Sequence, residues 1–145
     1  MDSDADPEIL TLELEIMGLS HTTPWDLDIY LFDPFGNLVA VGHDRGNQSP
    51  IADLNIIFND SGAVLPLDPD TPLSSGPWQP EGASFIPTFQ FRGTDAWLLL
   101  ITDDTAGQAG SFDSWTLRGT VVPEPVTLSL LAIGAVATLR RRIAR

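Results

Sequence analysis

Residues 9–16 read Ile-Leu-Thr-Leu-Glu-Leu-Glu-Ile, with Leu10, Leu12, Leu14 and Ile16 alternating against Thr11, Glu13 and Glu15. Successive side chains of an extended chain point to opposite faces, so this period of two predicts a strand over 9–20 with one face in a core. The alternation returns where Leu27, Ile29 and Leu31 oppose Asp26, Asp28 and Tyr30. Asp-Pro-Phe-Gly-Asn (33–37) then supplies turn residues and Leu-Val-Ala-Val-Gly follows, so 26–42 reads as a β-hairpin. Leu-Asn-Ile-Ile-Phe (54–58) is a further strand. Phe-Ile-Pro-Thr-Phe-Gln-Phe (85–91) reads as a bent edge strand, because Pro87 removes a ladder donor. The continuous apolar run of residues 96–104 suits a fully buried, central strand, and residues 111–122 alternate again. Between them, residues 63–83 hold Pro66, Pro69, Pro72, Pro77 and Pro80, which predicts a long connection over the surface. These segments make seven strands, with no amphipathic helical pattern before residue 123 and no internal repeat. The expected fold is an all-β sandwich with connections of the Greek-key or jelly-roll kind.

Charge divides the chain. Residues 1–122 carry 19 acidic side chains against Arg45, Arg92 and Arg118, a net of −16. Residues 123–145 carry Glu124 against Arg140, Arg141, Arg142 and Arg145, a net of +3. A body so acidic repels phosphate backbones, which argues against nucleic acid as a partner and leaves cations or plain solubility as its purpose. The chain has no Cys, which excludes disulfide and thiol chemistry. Residues 1–8 are acidic and Pro-containing, and read as a flexible N-terminus without a basic or apolar leader pattern.

The 14 residues of 126–139, Val-Thr-Leu-Ser-Leu-Leu-Ala-Ile-Gly-Ala-Val-Ala-Thr-Leu, are uncharged. As a helix they reach about 21 Å at ~1.5 Å per residue, short of a bilayer core of ~30 Å. They are too uniformly apolar for an amphipathic surface helix, and Pro123 and Pro125 stop the segment from extending upstream. The expectation is a separate, short C-terminal transmembrane helix, with Arg140, Arg141 and Arg142 as a cytoplasmic basic anchor and the acidic body on the other side.

Candidate chemistry is sparse. The histidines are His21 and His43, and Ser20 beside His21 has the wrong geometry for a nucleophile–base pair. Neither Gly-x-Ser-x-Gly nor His-Glu-x-x-His occurs, so a non-catalytic protein is expected. Calcium takes six to eight oxygens, several from carboxylates. Asp26 and Asp28 share a strand face, and Asp103 and Asp104 end another strand, so these four are the candidate calcium ligands. The competing reading is that they cap turns and accept backbone N–H groups. Asp68 and Asp70 read as a solvated loop. Trp97 and Trp115 fall in strands and read as core, whereas Trp25 and Trp78 lie in loops open to a sugar or protein contact.

Several segments together carry a family resemblance. Gly-Leu-Ser-His-Thr-Thr-Pro-Trp-Asp-Leu-Asp-Ile-Tyr-Leu-Phe-Asp-Pro-Phe-Gly-Asn (18–37), Pro-Leu-Ser-Ser-Gly-Pro-Trp-Gln-Pro-Glu-Gly (72–82) and the run from Ala96 to Thr120 resemble the P/Homo B domain, the β-sandwich that accompanies subtilisin-like proprotein convertases. The resemblance covers roughly residues 12–120 and departs from the pattern at Trp78, where Tyr is usual, and at Asp95-Ala96, where Gly is usual. It implies a P-domain-like jelly roll over residues 9–122, calcium in some members, and a protease domain that has no counterpart here. It also implies a first strand and leader upstream of Met1. Residues 123–145 resemble the PEP-CTERM sorting signal: the motif Pro123-Glu124-Pro125, an apolar helix and an Arg cluster. That likeness implies an exosortase-type sorting enzyme as partner and delivery to the envelope or extracellular matrix of a Gram-negative bacterium. Two functions follow from it: a structural or adhesive module meeting envelope polysaccharide or a secreted protein, or an accessory domain for a separate secreted subtilisin-like protease.

Overall fold

The computed structural model describes residues 9–66, 68, 70–89 and 96–121. The expected N-terminal tail, the Pro123-Glu124-Pro125 motif, the apolar segment 126–139 and the Arg cluster lie outside the described residues. Among those described, no helix is long and apolar enough to cross a membrane.

Two antiparallel sheets form the described part of the protein. The strands are β1 (Ile9–His21), β2 (Leu27–Phe32), β3 (Leu38–His43), β4 (Ile51–Ala63), β5 (Leu98–Asp103), β6 (Gly110–Ser111) and β7 (Ser114–Val121). In the larger sheet β1 lies between β4 on one side and β6 and β7 on the other. The smaller sheet has the order β3-β2-β5. Leu12, Leu14, Ile16, Ile56 and Phe58 from the first sheet face Leu27, Ile29, Leu31, Val39 and Val41 from the second in one buried core. All-β architecture is therefore as expected, and its inward residues are largely those the alternation marks.

The pattern in β1 breaks at two points. Ile9 is buried and Leu10 is 54% exposed, the reverse of strict alternation. A register shift between Ile9 and Thr11 against β7 inverts the first residues, as an extra residue in one strand does. A second irregularity falls between Ile16 and Leu19 against β4, where Gly18 takes φ 68°. A Cβ there would strike the Asp113 carboxylate, so a side chain is excluded by both backbone angle and space.

Three expectations need correction. Residues 85–91 do not make a strand within their described part: Phe85–Thr88 is a single-turn helix, α1. Pro87 is its third residue, where a helical N–H has no partner to lose, so the proline is compatible with the turn. The ladder donor missing at Pro87 is as consistent with this as with an edge strand. Phe85 and Phe89, four residues apart, both plunge into the core, and Asp60 of β4 accepts the N–H groups of Phe85 and Ile86 at 2.6 and 2.9 Å. The seventh strand is instead the two-residue β6.

Second, the apolar run at 96–104 is neither central nor fully buried. β5 pairs only with β2 among the described residues, with Leu98 57% exposed and Leu100 39% exposed. Leu99 and Ile101 point at the core and the other two leucines point outward, so an edge strand with one covered face carries apolar residues on both sides. Third, Trp78 packs against the core, and its indole N–H donates to the Ser74 carbonyl at 2.8 Å. Trp97 and Trp115 pack on the core as expected, and Trp25 is half-buried in the 3-10 turn Pro24–Asp26.

The Pro-rich connection seals one side of the sandwich. Its Ser75 and Pro77 carbonyls accept the N–H groups of Ile57 and Ala63 at 2.8 and 3.0 Å, covering the outer edge of β4. Glu81 and Gly82 then donate to Val41 and Ala40 of β3 at 3.2 and 2.9 Å. One connection thus occupies an edge of each sheet, which removes two sites of unwanted strand pairing.

Candidate functional site

The four candidate calcium ligands separate into two environments at the same end of the sandwich. Asp103 ends β5 and turns between the sheets, where its Oδ2 lies 3.2 Å from Nε2 of His21 at the end of β1. His21 is 4% exposed. Its Nδ1 accepts the Thr23 N–H at 3.1 Å, which leaves Nε2 as the protonated nitrogen that donates to Asp103. Both ring nitrogens are therefore committed. Ser20, next in sequence, leaves β1 on the other face and its Oγ accepts the Asp53 N–H at 2.9 Å. A cleft of about 330 Å³, lined by residues including Leu19, His21, Leu27, Ile101 and Phe112, opens beside this pair.

Of the other three only Asp28 lies on the small sheet; Asp26, expected on the same strand face, ends the 3-10 turn before β2, and Asp104 follows the end of β5. Asp28 projects from β2 away from the core and pairs in register with His43 of β3 and Thr102 of β5. The chain turns at Asp44, held at φ 51° with its N–H on the Leu27 carbonyl at 3.3 Å. The Asp104 N–H is on the Asp26 carbonyl, also at 3.3 Å. These links bring Asp26, Asp28 and Asp104 close enough to Asp44 for their charges to act on it, with His43 between Asp28 and Asp44. Asp44 and His43 were not marked as site residues by the sequence. The signal was a His-Asp pair directly after a strand, but only the β2–β3 register shows what it faces.

Electrostatics follow from this crowding. Asp44 holds its proton above the ordinary carboxylate range, first because of partial burial and then through the charges of Asp28, Asp104 and Asp26, while His43 pulls the other way. Tyr30 is also raised, by desolvation, by the charge of Asp28 and by the hydrogen bond its hydroxyl donates to Asp28 Oδ2 at 3.2 Å. His43 Nδ1 stands 3.1 Å from Asp44 Oδ2, and its Nε2 stands 3.5 Å from Asp28 Oδ1. Elsewhere, Asp68 accepts the Asp70 N–H at 3.0 Å in an exposed loop, in keeping with the solvated loop expected there.

Adjoining the acidic end, the same outer face becomes apolar. Phe32 pairs with Leu38 and Leu98, and Tyr30 with Ala40 and Leu100. Leu38 is 46% exposed and Phe35, at the hairpin turn, is 63% exposed.

No family model, no curated protein and no solved structure matches the chain.

Proposed function

We propose that this is a non-catalytic, exported β-sandwich of the P-domain-like jelly-roll kind, sorted by its C-terminal segment and acting as a structural or adhesive module at the envelope or in the extracellular matrix. The observation that carries the adhesive part is the outer face of the small sheet, where Leu38, Leu98 and Leu100 are exposed beside a carboxylate cluster. Apolar rows bordered by charge favour contact with another macromolecule, here an envelope polysaccharide or secreted protein. The non-catalytic part is supported by His21, whose two nitrogens are both engaged and whose sequence neighbour Ser20 points elsewhere.

Delivery is supported by the order of the chain. The last described strand ends at Val121, and the Pro123-Glu124-Pro125 motif, the uncharged 126–139 and Arg140–Arg142 follow in the sequence. That order resembles a PEP-CTERM signal, with an exosortase-type enzyme as the processing partner and a membrane helix that is transient. A divalent cation at the acidic strand end belongs to the same reading. Calcium is the ion the resemblance implies, with Asp26, Asp28 and Asp104 beside Asp44, and with Asp103 held by His21.

The test is expression in a Gram-negative host that carries the sorting enzyme. The wild-type chain is expected at the cell surface as a tail-less body, and the Glu124→Ala variant as a retained, full-length, membrane-bound form. A Leu98→Glu/Leu100→Glu pair is expected to be sorted normally but to lose attachment to matrix. Equal processing of wild type and Glu124→Ala overturns the sorting reading, and unchanged attachment of the leucine variant overturns the adhesive one.

A further inference from the structure

The cation that suits the acidic strand end is set by the imidazole of His43. Asp28 and His43 are register partners on adjacent antiparallel strands, so their side chains rise side by side from the outer face. Asp44 follows His43 directly. One ligating atom from each of the three lies within 4.8 Å of the others.

Two further observations point to a missing ligand. Asp28 Oδ1 is buried and has no hydrogen-bond partner among the described residues. The Tyr30 hydroxyl occupies the other oxygen and fixes the carboxylate with Oδ1 turned toward the imidazole. The 3.5 Å from Oδ1 to His43 Nε2 is too long for a good hydrogen bond. It is, however, close to the ~3.4 Å that separates two ligands each ~2.0–2.1 Å from a tetrahedral ion. Asp44 Oδ2, at 3.1 Å from Nδ1, holds the ring with Nε2 facing Asp28, as a carboxylate commonly does behind a metal-bound histidine.

We propose that Asp28 Oδ1 and His43 Nε2 bind one divalent d-block cation of the zinc class, with Asp44 positioning the imidazole and water completing the coordination. This rests on the cation-binding reading above and sharpens its chemistry. An imidazole nitrogen with a carboxylate oxygen is a borderline donor set that suits such ions, whereas calcium seeks six to eight oxygens. Asp26 and Asp104 add negative charge around the site and lower the energy of any cation there, but supply no selectivity.

The experiment is titration of the full-length, chelator-stripped chain with Zn²⁺, Co²⁺ and Ca²⁺ separately, followed by calorimetry and, for Co²⁺, by visible absorption. One equivalent of Zn²⁺ is expected to bind more than ~10-fold tighter than Ca²⁺, and Co²⁺ to give the absorption of a low-symmetry nitrogen and oxygen site. His43→Ala is expected to weaken Zn²⁺ by more than ~10-fold and to bring its affinity down toward that of Ca²⁺. His43 is 52% exposed at its side chain, so this variant retains the fold, and circular dichroism checks that. Asp28→Asn serves as an independent second variant with the same expected loss. If Ca²⁺ binds as tightly as Zn²⁺, or if His43→Ala leaves Zn²⁺ affinity unchanged, the d-block assignment is overturned while the cation-binding reading stands. If no ion binds, both fall, and His43 does no more than contact Asp28 and Asp44.

Discussion

His21 Nε2 and Asp103 Oδ2, 3.2 Å apart, join the end of the central strand of one sheet to the end of an edge strand of the other. The imidazole is nearly inaccessible, so its N–H has no water to fall back on. Removal of the acceptor in Asp103→Ala is expected to destabilise the protein by about 1–3 kcal/mol, the cost of a buried donor left unmade. Asp103→Asn, which keeps a carbonyl oxygen, is expected to lose less. Urea unfolding of the two variants checks the order, and equal losses would mean that charge rather than the hydrogen bond matters.

Gly110 sits where a Cβ would strike the His21 ring. Gly110→Ala therefore displaces the imidazole or separates β6 from β1, and about 1–3 kcal/mol of stability is expected to go with it, as for other insertions into packed sites. In combination with Asp103→Ala the two losses are expected to be less than additive, since both act through His21. A double-mutant cycle by denaturant melts measures this.

Asp60 caps α1 with both carboxylate oxygens, on Phe85 N–H at 2.6 Å and Ile86 N–H at 2.9 Å. Asp60→Ala is expected to cost about 1–2 kcal/mol as a lost cap, and Asp60→Asn roughly half of that. Phe89 lies 5.0 Å edge-on to Trp97 and 6.0 Å from Phe85 between ring centroids. Phe89→Ala is expected to cost about 3–5 kcal/mol and to alter tryptophan fluorescence, because the ring it removes is in contact with an indole.

Asp44 makes stability depend on pH in a stated direction. Its folded pKa lies above the ordinary 3.8, so the folded state holds that proton more tightly than the unfolded chain. Its contribution is fully favourable below the ordinary value and declines as pH rises through the window between the two. In chelator, Asp44→Asn is expected to lack that decline and to gain in Tm relative to wild type above the window. A parallel pair of Tm–pH curves would count against the assignment.

Much of the fold was legible because the core-facing residues of β2 and most of β1 obey a period of two, which a strand with one covered face demands. The misread segments share a cause. Phe85 and Phe89 have helical spacing, but a four-residue turn is too short to show a repeat, and Pro87 is compatible with either an edge strand or a first helical turn. Leu98 to Ile101 look like a central strand because an apolar run has no period, and strand order is decided by tertiary pairing that local sequence does not encode. The site was legible as carboxylates at strand ends. The partition of Asp103 from Asp28, and the entry of His43 and Asp44, depend on register across the β2–β3 hairpin and on contacts spanning up to 82 residues.

Among the described residues β1 is the only strand on which both flanks of the larger sheet are built, and it pairs Ile9 with Val121. The earliest described residue and the last are thus neighbours, and every other strand comes between them in the chain. Such closure is slow, because most of its contacts join distant parts of the sequence. A chain threaded head-first through a narrow channel cannot complete this sheet until residue 121 has passed through. The topology itself holds the larger sheet unfinished until the last described strand is available to pair.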